Sequence, residues 1–565
     1  MSKQPVEKIK IANDKGELLD DDEGKLEVLE TYLTDKYKGE NKVYPFEENE
    51  QVDLENPIEE NEVETAIKRL NNNKAPGIDG IHPEFLKAAP NNVITELTEA
   101  YNSMIKEKST VPILGKGELI LLQKPGKPQG PPKNLRPIVL LSMFRKILSI
   151  IVLNRIKEKA MEFISPAQSG FLPGRSTADV VWCHRWMTGR IEKYREEYTI
   201  LGIDMSSAFD TIDRKKLLDI CSSFLERDEI TLIKVLLSNT DLTVTSGDKS
   251  KTIPTIIGTP QGDSLSPVLF IIYLEAALRE TRKKLKTNCT NPIKEIAYAD
   301  DVDFILQNKE EAEENIATIE HELGRYNLQV NTSKTEITEV HKKKDEWKKV
   351  RKLGSLLDTG NDVTRRKALA AAAHKDMFKI WIRNEKISEH RLIRIYRALV
   401  EPILLYNCGS WALTKKEEES LDAFHRRQLR RTLGIKWSEK VTTKELYDRT
   451  GCSPISNKIR EARWKLFGHI LRLSQEAPAQ LAMTDYFKPP GIGYPGHPTL
   501  TLPGTLHNDL QSLLIPTENE HNYHQNKGKK LLTLNDLEIL REQAKNRDEW
   551  QELIHTITER GQATL

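Results

Sequence analysis

EIAYADDVDFIL (residues 295–306) sets Asp300 and Asp301 side by side between two apolar, strand-like runs. Ile296, Ala297 and Tyr298 precede the pair and Val302, Phe304 and Ile305 follow, so a two-residue hairpin turn is expected to fall on the aspartates themselves. Asp is a common turn residue, and one reading is an ordinary β-turn. The other is a hairpin tip that presents carboxylates to a divalent cation. Upstream, Asp204 ends a second apolar run, YTILGIDM (198–205). Were these strands neighbours, three carboxylates would meet at one end of a sheet and repel one another unless cations were present, and Mg²⁺ prefers such hard oxygen ligands. Two ions about 3.5–4 Å apart can activate an attacking hydroxyl and stabilise a leaving oxygen in phosphoryl transfer. Spacing alone leaves both readings open.

The rest of the chain narrows the setting. At 565 residues it is too long for one core, so several domains are expected. There is no apolar run near the roughly 20 residues a membrane span needs, and the N-terminus has no signal-peptide core. Five scattered cysteines form no CxxC pair and no zinc-knuckle spacing, as expected of reduced thiols in an intracellular protein, nuclear or cytoplasmic. The net charge of +1 hides a segregation: residues 1–64 carry 8 Lys and Arg against 20 Asp and Glu, while residues 341–440 carry 25 against 13. The basic block suits either a polyanionic partner or a solvated helical surface.

Along the chain, the acidic head (1–64) reads as a linker or a small helical cap. Prolines at 125, 128, 131, 132 and 137 forbid a helix there. The run IVLLSMFRKILSIIVLNRIKEKA that follows reads as a buried helix, and IPTIIGTPQGDSLSPVLFIIYLEAALRE as strand, turn and apolar helix. Phe209 taken alone is a core aromatic, and Asp210 and Asp213 read as N-cap or first-turn acids. RRKALAAAAHKDMFKIWIRNEKIS and KKEEESLDAFHRRQLRRTLG are helical, the latter with Arg426/Arg430 and Arg427/Arg431 at i,i+4. Strands and helices mix without strict alternation, which points to an α+β core.

In chain order the sequence shows KAPGIDGIHPEFLK (74–87), NLRPIVLLSMFRKIL (134–148), QSGFLPGRST (168–177), DMSSAFDTID (204–213), GTPQGDSLSPVLF (258–270), AYADD (297–301), LQVNTSKTE (328–336) and RKLGS (351–355). Any one is weak; the ordered set resembles the reverse transcriptases of non-LTR (LINE-type) retrotransposons, from about residue 55 to 475. The resemblance implies a right-hand polymerase with an antiparallel palm sheet: fingers at 65–197, palm at 198–350, a helical thumb at 351–440 and a C-terminal extension at 441–565 with a Pro/Gly-rich interval near 488–504. It implies that Asp204, Asp300 and Asp301 hold two Mg²⁺ ions, with Mn²⁺ a possible substitute, and that Phe209 gates the incoming sugar. Gln261 and Gly262 would line the nucleotide pocket, Lys124 and Arg136 would reach the triphosphate, Lys334 would donate a proton to pyrophosphate, and Leu353 and Gly354 would grip the primer. Partners would be an RNA template, a DNA primer or target, and dNTPs, with no membrane.

Some features depart from the family. Leu122-Gln123-Lys124 stands where Ile-Pro-Lys is common, and His497 where the tail often has Arg. The acidic head is too short for the usual upstream endonuclease domain, and one C-terminal cysteine, Cys452, rules out a zinc knuckle within the tail. The rival readings are a group II intron-type reverse transcriptase, an RNA-dependent RNA polymerase, and an inactive remnant that only binds nucleic acid.

Overall fold

The computed structural model describes residues 10–13, 15–46, 53–109, 111–379, 387–488, 499–511 and 533–563. Two compact units are built from separated stretches: Met1–Ser165, Asp204–Leu285 and Asn315–Lys334 in the first, and Pro166–Ile203, Lys286–Glu314 and Thr335–Leu565 in the second. This division cuts across the expected boundaries at 64, 197, 350 and 440. Part of the reason is that strand Glu197–Ile203 takes its partners from residues 301–306 and 336–341.

The first unit holds a four-stranded sheet in the order Leu135–Leu141, Lys116–Gln123, Thr240–Ser246, Lys249–Thr255, in which only the central pairing is parallel. Leu135–Leu141 is an edge strand, where Pro137 can sit without leaving a gap in a two-sided ladder. Its residues Ile138–Leu141 therefore correct the expected helix: the helix begins only at Met143, once Ser142 caps it by accepting from Arg145 N at 3.2 Å. The acidic head supplies helix Asp22–Lys36. Asp21 caps it, Asp22 and Glu23 sit at its positive end, and Leu26, Leu29 and Leu33 turn one face onto Leu119, Leu135, Val139 and Val244.

The second unit is built on an all-antiparallel sheet, in the order Glu336–His341, Glu197–Ile203, Asp301–Leu306, Glu295–Tyr298. Apolar residues of these strands join Trp182, Trp186, Trp464 and Phe467 in one core. Helices Glu389–Leu399, Lys415–Thr432 and Ile455–Leu471 contribute to a further helical core around Tyr396, Trp411 and Leu429. The expected helix through RRKALAAAAHKDMFKIWIRNEKIS is observed as Thr359–Met377; its residues 380–386, and residues 489–498 of the Pro/Gly-rich interval including His497, lie outside the described residues. The architecture is α+β, with a mixed sheet in the first unit, an antiparallel sheet in the second and a helical C-terminal part, the class a right-hand polymerase requires. Among the described residues no helix is long and apolar enough to cross a membrane.

Candidate active site

The hairpin of residues 295–306 forms, with its tip one residue earlier than expected. Tyr298 pairs with Asp301, so the two loop residues are Ala299 and Asp300, and Asp301 is already the first residue of its strand. Ala299 has φ +56° while Asp300 stays out of the positive region, the φ pattern of a II′ turn, whose first position usually needs glycine. What holds alanine there is Gln168. Its Oε1 accepts from Ala299 N at 2.8 Å and from Gly170 N at 2.7 Å, and its Nε2 donates to Ala299 O at 3.2 Å. Gly170 packs so closely that an added Cβ would stand 2.2 Å from Ala299 N. The motif QSGFLPGRST thus clamps the aspartate turn. The sequence gives no separate signal for Gln168, whose part is legible only once the strain of the turn is seen.

The strand entering this hairpin's sheet, Glu197–Ile203, sets Ile203 opposite Val302. Within the same unit Asp303 is buried, with Lys352 Nζ 2.6 Å from Oδ1 and His184 Nε2 3.3 Å from Oδ2. Burial alone would raise the Asp303 pKa, but Lys352 and His184 together hold it below the ordinary carboxylate value. Lys352 is the second residue of the motif RKLGS, whose turn residues Leu353 and Gly354 both take positive φ, +45° and +79°. This is the I′ geometry of a two-residue hairpin, with leucine where Asn or Asp is usual. The Leu353 carbonyl accepts from Tyr406 OH at 3.0 Å and the Gly354 carbonyl from Arg365 at 2.8 Å, which fixes the strained turn.

Asp204 belongs to the first unit. Its carbonyl accepts from Asn331 N at 2.8 Å, and the next two residues, Met205 and Ser206, pair with Val330 and Gln329. The chain then turns at Asn331 and returns Lys334 to Asp204, Nζ to Oδ2 at 2.8 Å. The motif LQVNTSKTE therefore pairs with the start of DMSSAFD and sets the lysine on the aspartate. The Asp204 carboxylate is 29% exposed and the Lys334 amine 57%.

Phe209 packs on Phe270 with centroids 4.5 Å apart and the rings tilted by 31°. Its carbonyl accepts from Thr259 N at 3.0 Å, joining the two motifs that contain it and Gln261. Asp213 caps helix Arg214–Cys221 as expected, by accepting from Lys216 N. Asp210 does not cap anything: it is buried, paired with Lys36 at 2.9 Å and bonded by Gln261 Nε2 at 3.2 Å to each oxygen. The correction has a physical cause, since the chain turns at Ser207 (φ +52°) and leaves Asp210 three residues before the N-cap Asp213. Gln261 accepts from Val139 N at 2.8 Å on the open edge of Leu135–Leu141. Gly262 follows at φ +126°, and an added Cβ would stand 2.6 Å from the Val139 carbonyl.

Arg136 lies on the exposed face of the same strand. Lys124 is half-buried and donates to the Lys133 carbonyl at 2.8 Å. Burial, with Lys36 and Arg136 nearby, lowers its pKa. Among the described residues, no three His, Cys, Asp or Glu side chains are placed as a metal-binding group. The donor chemistry nevertheless fits Mg²⁺: Asp204, Asp300 and Asp301 offer hard carboxylate oxygens on side chains that are half-buried or exposed.

Residues 122–357 match the family described as reverse transcriptase (RNA-dependent DNA polymerase), so this stretch is a reverse transcriptase domain. The relatives it matches bear the names of RNA-directed DNA polymerases from transposons and a mobile element. The chain is 28% identical over 298 residues (49% of this chain, 32% of the relative) to the probable RNA-directed DNA polymerase from transposon BS of Drosophila melanogaster. It is 25% identical over 421 residues (68% and 45%) to the probable RNA-directed DNA polymerase from transposon X-element of the same fly. It is 23% identical over 440 residues (72% and 47%) to the RNA-directed DNA polymerase from mobile element jockey of Drosophila funebris. The chain spans between about a third and about half the length of these relatives.

Proposed function

We propose that this chain is the RNA-directed DNA polymerase of a non-LTR retrotransposon, adding deoxynucleotides to a primer 3′-hydroxyl on an RNA template. One observation carries the reading most: Ile203 pairs with Val302, while Asp204 is the next residue along the chain from the first and Asp301 the residue before the second. In this reading Asp204 and Asp300, with Asp301 beside them, hold two Mg²⁺ ions. When bound, such ions neutralise developing phosphate charge and make the primer hydroxyl a better nucleophile. The protein supplies the rest. Phe209 faces the sugar from its packing against Phe270, Gln261 and Gly262 line the nucleotide pocket, and Arg136 and Lys124 counter the triphosphate. Lys334 donates a proton to the departing pyrophosphate from its position on Asp204. Leu353 and Gly354 form the grip on the primer end.

Fingers, palm and thumb take their places at 65–197, 198–350 and 351–440, with the thumb tracking the template–primer duplex through its phosphates. Support comes from the exposed cations Arg427, Arg431, Lys436 and Lys440, and from Trp437, which is 95% exposed among them. Six other tryptophans are buried, so an exposed one beside cations suits stacking on an unpaired base.

The test is incorporation of dNTPs and rNTPs on an RNA template with a DNA primer and Mg²⁺. DNA synthesis at least 100-fold above RNA synthesis is expected; robust rNTP incorporation favours an RNA polymerase and contradicts the proposal.

A further inference from the structure

The helix of the acidic head ends against the proposed nucleotide pocket. Helix Asp22–Lys36 lies on the sheet of the first unit, and its last residue, Lys36, places Nζ 2.9 Å from Asp210 Oδ2. The next residue, Tyr37, donates its hydroxyl to Asp210 Oδ1 at 3.4 Å. The Tyr37 carbonyl accepts from Ile256 N at 3.1 Å, and Gly39 packs against Ile256 and Ile257, five and four residues before Gln261 on the chain. The head is thus fastened to the loop that carries Gln261.

Asp210 is the hub. Its carboxylate is 3% exposed, and an ion so buried is costly unless it is paired and hydrogen-bonded. Lys36, 12% exposed, supplies the countercharge. Burial and the neighbouring Asp210 push the Tyr37 phenol far above its ordinary pKa, so it stays a donor. The third partner is the Gln261 amide, with Nε2 3.2 Å from both oxygens. An ionised carboxylate can only accept, so the NH₂ end of Gln261 must face it and the carbonyl end must face away.

We propose that Lys36 and Tyr37 are positioning residues for the incoming nucleotide: they hold the Asp210 carboxylate in place, and Asp210 sets which end of the Gln261 amide meets the ligand. This rests on the reading of Gln261 as a pocket residue. Without Lys36 the buried Asp210 carboxylate would lose its ion-pair partner and move to find another. Gln261 would then lose its single orientation. The effect belongs to nucleotide binding, since neither Lys36 nor Tyr37 is assigned to the reacting atoms.

The test uses the full chain with Lys36→Met, Lys36→Arg and Tyr37→Phe. Equilibrium binding of dTTP is measured on a 3′-dideoxy-terminated primer with an RNA template, alongside KM and kcat for dTTP on an extendable primer. Lys36→Met is expected to weaken dTTP binding and raise KM about tenfold while kcat stays within about twofold. Lys36→Arg restores most of the loss, and Tyr37→Phe, which leaves the charge pair and folds without a buried orphan ion, shows a smaller loss in the same direction. Unchanged affinity in both Lys36→Met and Tyr37→Phe overturns the inference, as does a fall in kcat at unchanged KM. A wild type that extends primers with variants indistinguishable from it sinks only the positioning role. A wild type that neither binds dTTP nor extends sinks the pocket reading and the inference together.

Discussion

Ala299 concentrates the argument at the scale of a residue. A side chain at φ +56° costs of order 1–3 kcal/mol and persists only where its surroundings hold it. Gln168 does so with bonds to both the N–H and the carbonyl. Gln168→Ala is therefore expected to lower the melting temperature of the full chain by several degrees, and to slow dNTP addition more than it weakens primer–template binding. A variant that melts and extends like wild type would remove the clamp from the account. This strain was not legible in the sequence, because AYADD reads equally well with the turn on either dipeptide. The register, Tyr298 opposite Asp301, decides it.

At the scale of elements, helix Lys415–Thr432 carries a buried titratable pair. His425 Nδ1 lies 3.0 Å from Tyr396 OH, and burial first, with Lys458 and Arg426 nearby, pushes its pKa down to about 3. The unfolded value is about 6.5. Neutral His425 thus contributes stability that is complete above about pH 6.5 and erodes as the unfolded chain gains a proton below it, at up to ~1.4 kcal/mol per pH unit until the folded group titrates near pH 3. Thermal melts from pH 7.5 to 5 should show falling stability of the helical part. His425→Gln should flatten that fall, and a slope equal to wild type would assign it to other groups. The helices themselves were legible from their periodicity and caps. The strand at Ile138–Leu141 was not, because four apolar residues running into a long apolar helix give no period to separate them.

For the whole molecule, the segregated charge is the testable quantity. Phosphate contacts release counterions, so binding of a primer–template should weaken steeply with salt. Arg431→Ala should lower affinity and reduce the salt slope by about one, whereas Trp437→Ala should lower affinity for a single-stranded overhang with the slope kept. Equal salt slopes for wild type and Arg431→Ala would take this surface out of the binding face. Much of this plan was readable in the sequence: the motif order announced the polymerase class, and Asp204 directly follows a strand, as the apolar run before it suggests. What was hidden depends on contacts between distant stretches. Asp210 read as a helix cap because Lys36 lies more than 170 positions before it, and the head read as a linker because its leucines have no partner until the sheet forms. The claim on which all else depends is that the hairpin aspartates serve nucleotide addition. The most direct measurement is extension of a DNA primer on an RNA template by wild type and by Asp300→Asn at equal concentration under Mg²⁺. Extension by the wild type with a loss of at least 1,000-fold in the variant is the result expected; equal activity or equal inertness of the two would contradict it.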